Sequence, residues 1–328
     1  MNIPSGYCRF IISADANMEI GSGHALRLFP IAEELAGMGF EIYFVGDISE
    51  MPWIESLYLD IGVKKIFARG QYFPNPETDI LIFDSYELEV ENQFLILSKW
   101  KIVIAIVDRS TPKYICQLYV NVFPFSKWTR PISAKKSRMV AGPEYVLIRK
   151  SLKEAKLRSR PPSDSKPKII VQGGGADKFG FSKEVMKLLK KSKLDFEAVV
   201  FGDEYATNDT DSRFNYQPIG ATYDSFVSDA DLFFTTAGTS CWELLTCGGV
   251  IGIAAAVENQ KENYLNIVKH ELGVGIGIRD TSKGWDLDLS AMENLISDTN
   301  LRMKLYKNSK DLFDGNGVAK VISTILNI

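Results

Sequence analysis

The residues best suited to chemistry cluster early, in the stretch IGSGHALR from Ile20 to Arg27. Gly21 and Gly23 let the backbone turn tightly and approach a ligand, and the helix that opens there offers N–H groups and a positive dipole end to an anion. His24 stands at that mouth, one of two histidines in 328 residues. It is the side chain there that exchanges a proton near neutral pH without a large pKa shift, which makes it the candidate general base. Arg27 lies one turn further on, and Asp15 precedes the loop. Asp84, Ser85 and Tyr86 follow the apolar run DILIF, and Asp108 and Arg109 follow IVIAIV. Asp84 and Asp108 read either as caps of the turns that follow them or as groups facing a ligand. Tyr86 reads as a pocket wall.

A second set of candidates lies in the other half of the chain. Gly173, Gly174 and Gly175 separate the strand-like KIIVQ from a helical pattern, as a structural turn or as a phosphate cradle; the loop has neither the P-loop pattern nor a full GxGxxG. Thr235 to Ser240 reads TTAGTS before the helical WELL, a nest of small residues suited to an anion. Gly238, Thr239 and Ser240 form its core. Glu243 follows, placed either to accept hydrogen bonds from a ribose or to complete a capping box. Asn259 and Gln260 open a further helix. His270 reads as a solvated helix residue.

The elements that must position these residues alternate along the chain. Short apolar runs at 8–13, 41–45, 79–83 and 102–107 each end in polar residues, with helical spacing between them, and the pattern resumes from residue 168. Such alternation predicts parallel α/β sheets, whose ligands gather at the carboxyl edges of the strands. In the first half that edge collects Asp15, His24, Asp84, Tyr86, Asp108 and Arg109. The segment from Leu118 to Arg138, LYVNVFPFSKWTRPISAKKSR, mixes aromatic and basic residues and reads as a loop beside the site, with contact to a membrane surface or an acidic partner as the alternative. The run RSRPPSDSKPK is charged and rich in Pro and Ser, so a linker is expected at 158–168 between domains at 1–157 and 169–328.

Composition narrows the function classes. A hydrophobic share of 45% and a charged share of 24% are ordinary globular values. Lys and Arg number 38 against 41 for Asp and Glu, a net charge of -3, which provides no general field for nucleic acid. Cys8, Cys116, Cys241 and Cys247 have no CxxC spacing and read as buried reduced thiols, not a zinc site or disulfides. No leader pattern and no apolar run of about 18 residues stand out, so a cytoplasmic protein with no integral membrane segment is expected, taken as a monomer.

The ordered motifs GSGHALR, DSYE, GPEYVLIR, QGGGAD, TTAGTSCWE, VENQ and DGNG resemble the UDP-2,4-diacetamido-2,4,6-trideoxy-β-L-altropyranose hydrolases of pseudaminic acid biosynthesis. They also resemble spore-coat polysaccharide proteins and, more distantly, the MurG glycosyltransferases. The likeness spans nearly the whole chain. It implies a GT-B architecture, two Rossmann-like domains facing each other across a cleft that takes a nucleotide-sugar. By that resemblance His24 activates water and Tyr86 assists. Gly173, Gly174, Gly238, Thr239, Ser240 and Glu243 hold UDP, and Asn259 and Gln260 match the family's loop amide that contacts the substrate. Gly21, Gly23, Arg27, Asp15, Asp84 and Asp108, at the loop and strand ends of the first half, are the further candidates for substrate contact. Two departures stand out: Asp108-Arg109 replaces a usual pair of aspartates, and Gly175 replaces a common Ser or Thr.

The implied activity is hydrolysis of a UDP-sugar with inversion at the anomeric carbon. UDP leaves readily, so no carboxylic general acid is needed, and neither a metal nor a cofactor is called for. A glycosyltransferase using the same donor and a non-catalytic nucleotide-sugar sensor are the alternatives.

Overall fold

A computed structural model of the chain describes residues 8–85, 99–108, 115–126, 136–158, 166–202, 210–220 and 223–328. The chain divides into two compact units, Met1–Lys150 with Gly315–Ile328, and Ser151–Asp314. Each is built on a seven-stranded sheet.

In the first unit the elements run β1 (Arg9–Ser13), α1 (Gly23–Gly37), β2 (Glu41–Val45), α2 (Pro52–Asp60), β3 (Ile66–Phe67), β4 (Asp79–Phe83), β5 (Ile102–Val107), β6 (Leu118–Asn121) and β7 (Arg138–Val140). The strands are parallel in the order β3-β2-β1-β4-β5-β6-β7. Strand order therefore reverses between β1 and β4, and the loops leaving these two neighbours splay apart to open a crevice at their carboxyl ends. Helix α1 enters at that point. Its buried face carries Ala25, Leu28, Phe29, Ile31, Ala32 and Leu35, and burial at about 1.5–3 kcal/mol for each large apolar side chain offsets the interior Pro30, which the helix accommodates without ending. Leu118–Asn121, read from sequence as part of a loop, is a wholly buried strand. Its tyrosine, valine and leucine fit a buried parallel strand, but at four residues the run is too short for periodicity to reveal it.

The second unit begins one residue into α3 (Lys150–Arg158) and continues with β8 (Lys168–Gln172), α4 (Phe181–Leu189), β9 (Glu197–Phe201), β10 (Phe214–Gln217), α5 (Tyr223–Val227), β11 (Leu232–Thr236), α6 (Ser240–Thr246), β12 (Ile251–Ala255), α7 (Lys261–Lys269), β13 (Gly273–Asp280), β14 (Gly284–Leu287), α8 (Leu289–Ser297) and α9 (Thr299–Leu312). Its order is β10-β9-β8-β11-β12-β13-β14, parallel except for the antiparallel edge pair β13–β14. Order reverses here between β8 and β11. One face of this sheet buries Ile169, Val171, Leu232 and Phe234 against Phe181, Val185 and Leu189 of α4 and Met292, Leu295 and Ile296 of α8. All four cysteines are buried and free, as expected of small apolar thiols, and burial pushes the Cys116 thiol up to about 12.

The last helix, α10 (Gly317–Leu326), does not belong to the unit that precedes it. It packs on α1 and on the short turn Pro143–Tyr145, burying Val321, Ile322 and Ile325. Gly317 permits the approach, because a Cβ there would overlap the Val146 carbonyl oxygen. The motifs GPEYVLIR and DGNG thus meet as a packing pair. A boundary drawn from composition at 158–168 differs from this division, since composition marks where chain is polar, not where a later segment returns.

Asp79, at the foot of β4, is fully buried and accepts hydrogen bonds from Arg9 Nε (2.8 Å) and Nη2 (3.0 Å), the Tyr72 hydroxyl (2.8 Å), the Asn75 N–H (2.8 Å) and Thr78 Oγ1 (2.8 Å). Burial pushes its carboxyl up, but these donors together outweigh burial and hold it below its ordinary range. A depressed carboxyl pKa stabilises the fold above the unfolded value near about 3.9, and that contribution is lost as pH falls through the folded value. Asp79→Asn should lower stability by about 1–3 kcal/mol at pH 7, and the gap from the parent should narrow below about pH 4. Urea unfolding at both pH values checks this; a gap that stays constant would refute the assignment.

Candidate functional site

The crevice between β1 and β4 gathers His24, Arg27, Asp84 and Asp108, which expose only 6%, 6%, 2% and 8% of their surface. Their placement follows from three elements. His24 and Arg27 are three residues apart at the start of α1 and so share a face, while Asp84 and Asp108 immediately follow β4 and β5, which are neighbours in the sheet. His24 Nδ1 lies 2.7 Å from Asp84 Oδ1. Arg27 donates Nε to Asp84 Oδ2 (2.6 Å) and Nη2 to Asp84 Oδ1 (2.8 Å), and its Nη1 bonds Asp108 Oδ2.

The tautomer of His24 follows from these distances. A carboxylate oxygen and an unprotonated nitrogen at 2.7 Å would repel, so Nδ1 carries the proton and donates it to Asp84. Arg27 Nη2 and His24 Nδ1, 3.3 Å apart, are then two donors converging on one oxygen. Nε2 holds the lone pair. With neutral imidazole the four groups sum to a formal charge of −1, and a proton taken up at Nε2 brings the sum to zero. Beneath them Tyr58 is fully buried and donates to the Ala25 carbonyl (2.8 Å), fixing the first turn of α1. Its phenol is pushed well up, by burial first and then by the Asp84 charge, so it stays a neutral donor.

The rest of this edge has other work. Asn17 Oδ1 accepts from the N–H groups of Glu19 (2.9 Å) and Ile20 (2.8 Å), and Gly21, with φ +79°, returns its N–H to the Asn17 carbonyl. Gly23 has open space around it. Asp15 Oδ1 accepts from the Asp47 N–H (2.8 Å) and Arg69 Nε (3.1 Å), so it ties together the loops after β1, β2 and β3. Arg69 also reaches Ser85 Oγ at 3.5 Å. Neither Arg69 nor Tyr58 stands out in sequence, because each acts from an element without a motif. Tyr86, Arg109, Trp128 and Lys127–Lys135 lie outside the described residues.

In the second unit the glycine loop after β8 and the small-residue loop after β11 meet at the other reversal point, where a Cβ on Gly174 would stand 3.9 Å from Thr236 Oγ1. The start of α4 is filled from within the chain. Asp177 Oδ1 accepts from the Phe181 N–H (2.8 Å) and Oδ2 from the Ser182 N–H (3.0 Å), while the Gly173 N–H donates to Ser182 Oγ (3.1 Å). Burial raises the Asp177 carboxyl above its ordinary range despite these bonds. A Cβ at Gly173 would overlap Asp177 Oδ1, so this glycine makes room for the capping carboxylate. Gln260 packs over Gly238 and accepts from the Ala256 N–H (2.9 Å), whereas Asn259 is exposed. Asn263, unmarked in the sequence reading, is buried and donates to the Ala237 carbonyl (3.1 Å), holding the loop that contains Gly238. Glu243 is buried in the first turn of α6, with Thr239 and Ser240 ahead of it. Among the described residues no group of three or more His, Cys, Asp or Glu side chains is arranged to hold a metal ion, and no helix is long and apolar enough to cross a membrane.

No family model matches the chain. The spore coat polysaccharide biosynthesis protein SpsG of Bacillus subtilis is 19% identical over 332 residues, covering 97% of each chain. The UDP-2,4-diacetamido-2,4,6-trideoxy-beta-L-altropyranose hydrolase of Campylobacter jejuni is 22% identical over 190 residues, 57% of this chain and 67% of its own. Among solved structures, MurG of Acinetobacter baumannii superposes with a TM-score of 0.63 at 14% identity, covering 98% of this chain and 100% of its own. The fold is therefore GT-B, and the chain is a GT-B protein similar to SpsG and to that hydrolase.

The capping role of Asp177 is open to measurement. Gly173→Ala should force the carboxylate off the α4 N–H groups and cost about 0.5–2 kcal/mol, the range for a lost helix cap, and Asp177→Ala should cost a similar amount. An unchanged urea midpoint in Gly173→Ala would show that the loop absorbs the methyl without moving Asp177.

Proposed function

We propose that the protein hydrolyses a UDP-activated amino or deoxy sugar, releasing UDP and free sugar in nonulosonic acid (pseudaminic-type) or surface polysaccharide biosynthesis. The observation that carries this reading is the His24 imidazole, whose Nδ1 proton is held by a buried carboxylate so that Nε2 is the basic atom. Nε2 takes a proton from water as the water oxygen bonds to the anomeric carbon, and the bond from that carbon to the diphosphate oxygen breaks with its electron pair leaving on UDP. Attack opposite the leaving group inverts the carbon. Asp84 stabilises the imidazolium that forms, as carboxylates beside catalytic histidines do. Tyr86 assists. Arg27, Asp84 and Asp108, with Gly21, Gly23 and Asp15, are assigned to the sugar side of the first unit, and Asn259 and Gln260 to substrate contact in the second.

UDP is assigned to the second unit, at Gly173, Gly174, Gly238, Thr239, Ser240 and Glu243. The supporting features are the convergence of the two loops at one reversal point and a buried carboxylate in the next helical turn. Sequence similarity to a UDP-sugar hydrolase favours water as the nucleophile. The fold shared with MurG supports a second reading, in which an acceptor hydroxyl replaces water. Four buried free thiols suit a cytoplasmic protein.

Incubating the protein with a panel of UDP-sugars and no acceptor should release UDP and free sugar with the opposite anomeric configuration, read by NMR. UDP released only on addition of an acceptor would make the protein a transferase. His24→Ala should keep UDP affinity and lose about 10²–10⁴-fold in turnover; a parallel loss of both would make His24 a binding residue. Glu243→Ala should weaken UDP binding by about 1–3 kcal/mol in calorimetry, and unchanged affinity in a folded variant would remove Glu243 from the site.

A further inference from the structure

We infer that Arg27 and Asp108 are positioning residues, which hold the Asp84 carboxylate in one orientation and so keep the His24 proton on Nδ1. Asp84 receives Arg27 on both oxygens, Nε on Oδ2 at 2.6 Å and Nη2 on Oδ1 at 2.8 Å, a two-point grip that sets the plane of the carboxylate. With that plane set, Oδ1 is presented to His24 Nδ1 at 2.7 Å. The third guanidinium nitrogen, Nη1, is bonded to Asp108, so all three nitrogens are engaged and the guanidinium cannot turn away from Asp84. Asp108 also supplies the second negative charge. Without it Arg27 and Asp84 would cancel, and the cluster would offer the imidazolium no net counter-charge.

The consequence lies on the far side of the imidazole. Free imidazole in histidine favours the proton on Nε2, the atom that must accept one in the proposed reaction. A carboxylate free to swing would let that preference return, and the ring would present a donor where a base is needed. Lysine at 27 would keep the charge but reduce the fork to a point, which cannot bond both oxygens of Asp84 and also Asp108 in fixed directions.

The chain has two histidines, so His270→Gln, a change at an exposed helix end, leaves one imidazole to observe. The parent for the test is the full chain carrying His270→Gln, labelled with 15N-histidine; two-bond proton–nitrogen correlation spectra, recorded where the ring is neutral, report the tautomer directly. The parent should show His24 with the proton on Nδ1. Arg27→Lys and Asp108→Asn should shift it toward Nε2, with turnover falling about 10²-fold, the scale for misplacing a catalytic group, and UDP affinity unchanged. Asp108→Glu, which keeps the charge, should retain the parental tautomer. A merely structural role would lower the unfolding midpoint without moving the tautomer. Folded Arg27→Lys or Asp108→Asn protein with the proton still on Nδ1 would overturn the inference. So would a parent spectrum with the proton on Nε2, which requires no variant in the cluster to fold. The inference rests on His24 acting as the base, but the spectrum reports the tautomer whether or not any UDP-sugar is hydrolysed, so the two readings fail separately.

Discussion

Charged groups enter a protein interior at a cost of several kcal/mol each unless partners replace the water they lose. At the carboxyl edge of the first sheet three enter together. Arg27 lies between Asp84 and Asp108, and the arrangement is possible because two neighbouring strands deliver a carboxylate each while the first turn of α1 delivers the cation. Remove Arg27 and two carboxylates are left buried without a counter-charge. The strand order, the entry of α1 at the reversal point and the buried Tyr58 beneath its first turn all serve this cluster, and the imidazole of His24 takes its direction from it.

The second unit meets the same topological situation with different chemistry. Its loops at the reversal point are rich in glycines and small hydroxyl residues, and a Cβ on Gly174 would come into contact with the Thr236 hydroxyl. One of the two loops is also internally satisfied, since Asp177 occupies the start of α4 that a phosphate would otherwise find open. In the function proposed above, the first unit holds and moves a proton, and the second offers backbone to the ligand at Gly238 and its neighbours.

Much of the fold was legible because continuous apolar runs and glycine loops are local signals. The strands at 9–13, 79–83, 102–107 and 232–236, and the α/β class itself, follow from alternation along the chain. His24, Asp84 and Asp108 were legible as residues at strand ends, and Arg27 as part of the same loop motif. Their mutual bonding was not, because which strand lies beside which is set by sheet order, and nothing within DILIF or IVIAIV reports that they are neighbours. The strand Leu118–Asn121 was hidden by the aromatic and basic residues that follow it. Asp177 could be seen beside three glycines, but that its carboxylate would fold back over Gly173 depends on its φ of +40°, a conformation sequence does not announce.

The return of α10 to the first unit has a bearing on how the chain reaches this form as it is made. Residues Ser151–Asp314 are contiguous, so the second unit can complete its core as soon as they have left the ribosome. The first unit, although synthesised earlier, lacks the helix that covers α1 and the turn at Pro143–Tyr145 until residues 317–326 have emerged. Its sheet can pair early, yet a strip of apolar surface on α1 stays open through the synthesis of the whole second unit. Of the two units, the one whose strands are translated first is therefore completed second, and the helix that carries His24 and Arg27 is the one that waits.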